Sequence, residues 1–176
     1  MNKDIQFLKN AILGKKVGAI SSSSKYVIES VLKNIKDMEL LSVVEYGPGD
    51  GVLTFELLKH IPPNGKLLLV ETDENFVKIL SNIRDKRITI VSGSVEEVSK
   101  ELYKYGFSNV DLVVSSIPFS LIKKSDRVDV AKNTERSLKR GGKFIIFHQY
   151  SLIMSPILKK YFSSVKNYFE LRNIMP

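Results

Sequence analysis

Glu45, Gly47, Gly49, Gly51 and Glu71 are the residues whose types and spacing most clearly suit chemistry. The stretch SVVEYGPGDGVLTFELL, residues 42–58, runs apolar, breaks into an acid and three alternating glycines, and turns apolar again at a different spacing. Glycine has no Cβ, so a ligand can lie against the backbone there, and the helix expected to start near Gly51 offers free N–H groups. The pattern is G-x-G-x-G. In the dinucleotide fingerprint G-x-G-x-x-G the third glycine would fall at Val52. Glu71 closes the next apolar run, about 20 residues beyond Gly51, a spacing at which an acid grips ribose hydroxyls. Loop and acid together point to an adenosine-type ligand. The plain alternative is a strand-to-helix turn that merely needs glycine.

Such a loop has to be held by strands and helices in alternation. Short apolar runs at 41–46, 66–71, 87–92, 110–116 and 143–149 read as strands buried on both faces. Helical spacing is expected over 51–60, 74–83, 94–105, 121–140 and 152–162, the last containing Pro156. Two helices lead the chain, one over 3–13 and one from Ser23 or Ser24 to about Ile35, and 164–172 alternates like a final strand. This order predicts an α/β, Rossmann-like fold: a mainly parallel twisted sheet with helices on both faces and right-handed crossovers. In such sheets ligands bind beyond the carboxyl ends of the strands, where the glycine stretch falls. The 176 residues suffice for one domain. Residues 1–40 are expected as helices capping the cofactor site and 41–176 as the α/β core.

Composition narrows the class. The chain has no cysteine, which excludes disulfides and thiolate metal sites and favours a reducing compartment. No metal site is expected. No apolar run approaches the ~18 residues of a membrane span. Lys9, Lys15 and Lys16 interrupt any signal-peptide core, so a cytoplasmic protein is expected. The net charge of +8 can attract RNA phosphates or anionic lipid headgroups, or serve solubility alone.

VVEYGPGDGVLT resembles the first motif of the class I S-adenosylmethionine (SAM) dependent methyltransferases, and the leading helices fit that family better than a dehydrogenase. The resemblance covers residues 17–150. It implies SAM as cofactor, with Glu45, Gly47 and Pro48 beside its methionine part. It further implies close backbone approach at Gly49, Glu71 on both ribose hydroxyls and Thr72 under the adenine. SGSVEEV stands where the family carries G-D-A, so Ser94 and Val95 would touch the adenine rim. A helix cap followed by a core residue is the alternative for that pair.

The fourth strand ends in SSIPFS, residues 115–120, at the position that faces the transferring methyl in such enzymes. Amino-group methyltransferases carry N-P-P-[YF] or N-L-P-[YF] there; the Asn side chain and a backbone carbonyl accept the amine hydrogens. Ser115 is expected in place of that Asn. Pro118 stiffens the loop and leaves the carbonyl of Ser116 or Ile117 free. The Ser-x-[IL]-Pro form is similar to the phospholipid N-methyltransferases, relatives of the rRNA adenine dimethyltransferases. VGAISSSSKYV, residues 17–27, looks like their G-A-[IV]-x-P-S-S-[KR] segment but departs from it at Ser22, and FHQYS, residues 147–151, looks like their aromatic-Gln-aromatic stretch.

The resemblance implies an aminolipid acceptor. Tyr26, which would also line the cofactor site, joins Phe119, His148 and Tyr150 as candidates to cage an ammonium. His148 either takes the amine proton or is a strand-end histidine bonded to backbone. His60 reads as a cap or surface residue. A lipid substrate requires peripheral attachment to the inner face of the membrane. The N-terminal apolar stripe with its lysines, and Lys123, Lys124, Arg127, Lys132, Arg136, Lys139 and Arg140, are candidates for that attachment or for a solvated face. The rival readings are an RNA adenine N6-methyltransferase, which lacks its Asn and a C-terminal helical module here, and a SAM-binding module without turnover. The family's antiparallel last strand is not evident before Pro176.

Overall fold

The apolar runs form the strands because each buries both of its faces. The structure is a computed structural model, and it describes residues 25–147 and 151–168. The helix expected over 3–13, the serine-rich loop, His148, Tyr150 and residues 169–172 lie outside those. Strands β1 (Ser42–Tyr46), β2 (Lys66–Glu71), β3 (Ile88–Ser92), β4 (Val110–Ser115) and β5 (Leu138–Ile146) make one sheet in the order β3-β2-β1-β4-β5. All four pairings are parallel.

Side chains alternate across that sheet with period two. Val43, Leu67, Leu69, Leu112 and Val114 face one core with α1 (Lys25–Ile35), α2 (Val52–His60) and Leu80 of α3 (Glu74–Leu80). Val44, Tyr46, Leu68, Val70 and Val113 face the other, with α4 (Val95–Val98), α5 (Lys124–Ser137) and α6 (Ser155–Tyr161). Leu67, Leu68 and Leu69 are all fully buried, and each such side chain contributes roughly 1.5–3 kcal/mol. β3 and β5 are half-buried, as edge strands of the described sheet.

Four elements differ from expectation. The helix expected over 94–105 is the four-residue α4 followed by a 3-10 turn, Leu102–Tyr105. Bonds such as Lys100 N–H to the Glu97 carbonyl tighten the chain to three-residue spacing, so Leu102 and Phe107 both turn inward. The basic helix expected over 121–140 is α5, and Lys139 and Arg140 belong to β5. That strand begins directly after Ser137 because a bulge absorbs the change: the register jumps from Val110↔Leu138 to Leu112↔Lys143, with Gly141 at φ +81. The helix expected over 152–162 is a 3-10 turn, Ser151–Met154, followed by α6, with Pro156 in its first turn where the missing N–H costs nothing. Residues 164–168 form no strand.

Candidate active site at the carboxyl ends of the strands

The crossovers change direction between β1 and β4, so the crevice at this switch point is bounded by the loops that follow those two strands. They are the glycine loop and SSIPFS. Gly47, Gly49 and Gly51 all take left-handed backbone, at φ +71, +55 and +79. A Cβ at Gly47 would meet Ile117 Cγ1 at 3.1 Å and Ser116 Oγ at 3.3 Å, so the two loops touch only because that residue is glycine. A Cβ at Gly49 would meet nothing within 4 Å. Its backbone borders open space beside an acid, a cradle suited to a ligand. Pro48 is buried and accepts the Gly51 N–H at 2.9 Å.

Three acids surround this loop. Glu45, 3% exposed, accepts the Thr54 hydroxyl at 2.7 Å. Burial pushes its carboxyl up to about 8, the Thr54 bond working against it and the charges of Asp50 and Glu71 adding to it. Burial likewise raises Asp50, whose carboxylate accepts the Val52 N–H at the start of α2 at 3.3 Å. Glu71, 8% exposed, accepts the N–H groups of Gly49 at 3.0 Å, Thr72 at 2.8 Å and Asp73 at 3.0 Å. A carboxylate has about four lone-pair positions. Three are in use, so a ligand diol gripped at both hydroxyls has to share or replace the Gly49 bond. Thr72 is exposed beside it. A diol-bearing nucleoside fits this donor set and cradle, and Gly47, Gly49, Glu71 and Thr72 are the groups that would hold it.

The other expected residues are placed unevenly. The Ser94 hydroxyl caps α4 by accepting the Glu97 N–H at 3.3 Å, and Val95 is 3% exposed in the core, which is the cap-and-core alternative. Tyr26 stands half-buried in the first turn of α1, with the Lys25 ammonium 5.0 Å from its ring centroid. Phe119 has no exposed surface, so in this structure it anchors its turn in the core and offers no cage face. Pro118 and Ile117 are half-buried in the loop.

Ser115 is the last residue of β4, fully buried, with its hydroxyl 3.4 Å from the Ile117 N–H. Its neighbour Ser116 was expected to offer only a carbonyl, and its side chain is what sequence reading passed over. The Ser116 hydroxyl donates to the Gly47 carbonyl and its N–H to the Tyr46 carbonyl at 3.1 Å, joining the two loops. Counting back from Pro118 was the available signal: N-L-P-[YF] puts Asn two residues before proline, which is Ser116 here. Among the described residues no group of His, Asp or Glu could hold a metal ion, and no helix is long and apolar enough to cross a membrane.

Comparison with known proteins gives the family. The family model for ribosomal RNA adenine dimethylase matches residues 20–164. The ornithine lipid N-methyltransferase of Singulisphaera acidiphila is 24% identical over 93% of this chain and 86% of its own length. A ribosomal RNA small subunit methyltransferase A, from Blochmanniella pennsylvanica, is 32% identical over 48% of this chain and 32% of its own. The N-methyltransferase NodS of Bradyrhizobium japonicum, solved with S-adenosyl-L-homocysteine, shares the fold with a TM-score of 0.64 at 13% identity over 90% of this chain and 86% of that one. S-adenosylmethionine is accordingly the cofactor and methyl transfer the reaction. The chain belongs to the ribosomal RNA adenine dimethylase family of class I SAM-dependent methyltransferases.

Proposed function

We propose that the acceptor is the aliphatic amine of an aminolipid headgroup. The observation that carries this reading is the Ser116 carbonyl. Among the described residues it accepts no hydrogen bond, whereas the carbonyls of Ser115, Ile117 and Pro118 accept from Phe147, Phe119 and Leu121. Among the described residues the loop thus has one carbonyl without a donor, and both serine hydroxyls are engaged within the protein.

The bound cofactor supplies an electrophilic methyl on a sulfonium. The chain has to orient an amine lone pair and stabilise the positive charge that grows on nitrogen. An aromatic amine such as that of adenine shares its lone pair with the ring and needs both hydrogens held out of plane. The Asn side chain supplies the second acceptor in enzymes with N-L-P-[YF], and Ser116 carries no carboxamide. An aliphatic nitrogen keeps its lone pair localised, so one carbonyl orients it and accepts one N–H. His148 remains the proposed receiver of the amine proton, and Tyr150 the proposed aromatic neighbour. The whole-chain similarity to an ornithine lipid N-methyltransferase supports an aminolipid over RNA.

A second reading, methylation of adenine N6 in RNA, is favoured by the family description and by the similarity to ribosomal RNA methyltransferases. Incubation with SAM and a panel of aminolipids, read by mass spectrometry, decides between them. Methyl gain on a lipid is the expected result. Methylated RNA in a parallel tube, with no lipid changed, would reject the aminolipid.

A further inference from the structure

Two short turns beside the acceptor loop each carry one apolar residue turned inward and one turned out. In the turn Phe119–Leu121, Phe119 is fully buried and Leu121 is 83% exposed, and Ile122 just after it packs on the core. In the turn Ser151–Met154, Met154 is fully buried, Ile153 packs on the core and Leu152 is 49% exposed. The two turns pack against each other. Among the described residues neither Leu121 nor Leu152 belongs to a core cluster, so the packing described gives no reason for leucine at either place. Lys123 and Lys124 follow Leu121 after the inward-facing Ile122; both are exposed, and neither makes an ion pair with another described residue. An apolar tip with a collar of exposed ammonium groups is the arrangement that enters a bilayer interface, leucine among the acyl chains and lysine among anionic phosphates.

We propose that Leu121 and Leu152, with Lys123 and Lys124, form a lip that docks the mouth of the acceptor site on an anionic membrane surface. This rests on the aminolipid reading and adds to it the means of reaching a substrate that stays in the bilayer. The turn Phe119–Leu121 continues directly from Pro118 of the acceptor loop. Docking through it brings the headgroup layer to the Ser116 carbonyl, and the lipid need not leave the membrane entirely.

The test separates docking from chemistry. Wild type, Leu121→Asp, Leu152→Asp and a Lys123→Gln/Lys124→Gln double variant are sedimented with vesicles of phosphatidylcholine, with and without phosphatidylglycerol. Each is also assayed for methylation of aminolipid in vesicles and in detergent micelles, and for homocysteine-cofactor affinity by calorimetry. Leu121→Asp is expected to weaken vesicle binding roughly tenfold. It should cut methylation in vesicles to match, leaving micellar methylation and cofactor affinity unchanged. The lysine variant should lose the advantage of phosphatidylglycerol. Unchanged vesicle binding in all the variants overturns the lip, because the leucines are then covered by another part of the chain or a second copy. Loss of RNA binding in place of vesicle binding overturns it too. If wild type methylates no lipid in either form, the acceptor reading fails, and sedimentation alone still judges the lip.

Discussion

Where the strands begin, Asp111 is 2% exposed, accepts the N–H groups of Leu41 and Ser42 at 2.7 Å each, and pairs with the Lys139 ammonium. Where the strands end, Glu45 is 3% exposed, has the Thr54 hydroxyl as its bonded partner, and lies near the acids Asp50 and Glu71. One sheet thus buries acids at both ends and treats them oppositely. Asp111 receives N–H groups and a cation and ties β1, β4 and β5 together. Glu45 has one hydroxyl partner and acids for neighbours, which with its burial favour the protonated carboxyl, and Glu71, held by three N–H groups, pairs with no cation among the described residues and borders a loop of left-handed glycines. A buried acid with acids for neighbours marks a candidate working site, and one paired with a cation and N–H groups a structural one.

The comparison breaks if Asp111 proves dispensable. Asp111→Ala leaves two N–H groups at the start of β1 without their acceptor and should cost about 3–4 kcal/mol in chemical denaturation. Glu45→Gln should do the reverse. A carboxyl whose folded pKa of about 8 exceeds its unfolded 4.5 holds its proton longer in the folded state. Wild-type stability therefore falls as pH rises from 4.5 towards 8 and levels off above that. The amide removes this dependence and should raise stability at neutral pH by about 2–3 kcal/mol, measured by melts across that range. A flat wild-type profile would show that Glu45 is ionised throughout.

Gly49→Ala sharpens the contrast further. Left-handed backbone costs alanine about 1 kcal/mol of stability, but the new methyl enters the open space over the loop. Affinity for S-adenosylhomocysteine should fall roughly tenfold in calorimetry, about 1.4 kcal/mol. The smallest effect is expected from Lys139→Ala. Its side chain is 42% exposed, so solvent and salt screen the pair, and the melting temperature should move little and less still at high salt.

Legibility in the sequence followed how many constraints acted on each segment. β2 runs from Lys66 to Glu71 as expected, because five consecutive buried positions permit no other state. The glycine loop was legible for the same reason: three left-handed residues in five leave glycine the favoured choice. β5 was misplaced because Lys139, Arg140 and the two glycines look like a helix end, and a bulge that accommodates them has no local signature. Phe119 looked available because an aromatic after Pro-118-type turns reads as exposed, and only the packing of Tyr46, Val130 and Met154 shows the ring buried with them. The bond of the Ser116 hydroxyl to Gly47 escaped because it spans 69 residues of sequence.

The direct test is calorimetric titration of S-adenosylhomocysteine into wild type, Glu71→Gln and Asp111→Asn under conditions where all three are folded. Binding at least roughly tenfold weaker in Glu71→Gln, and wild-type affinity in Asp111→Asn, is the predicted result. Equal affinity in wild type and Glu71→Gln, or loss confined to Asp111→Asn, would contradict the assignment of the cofactor to the carboxyl ends of the strands.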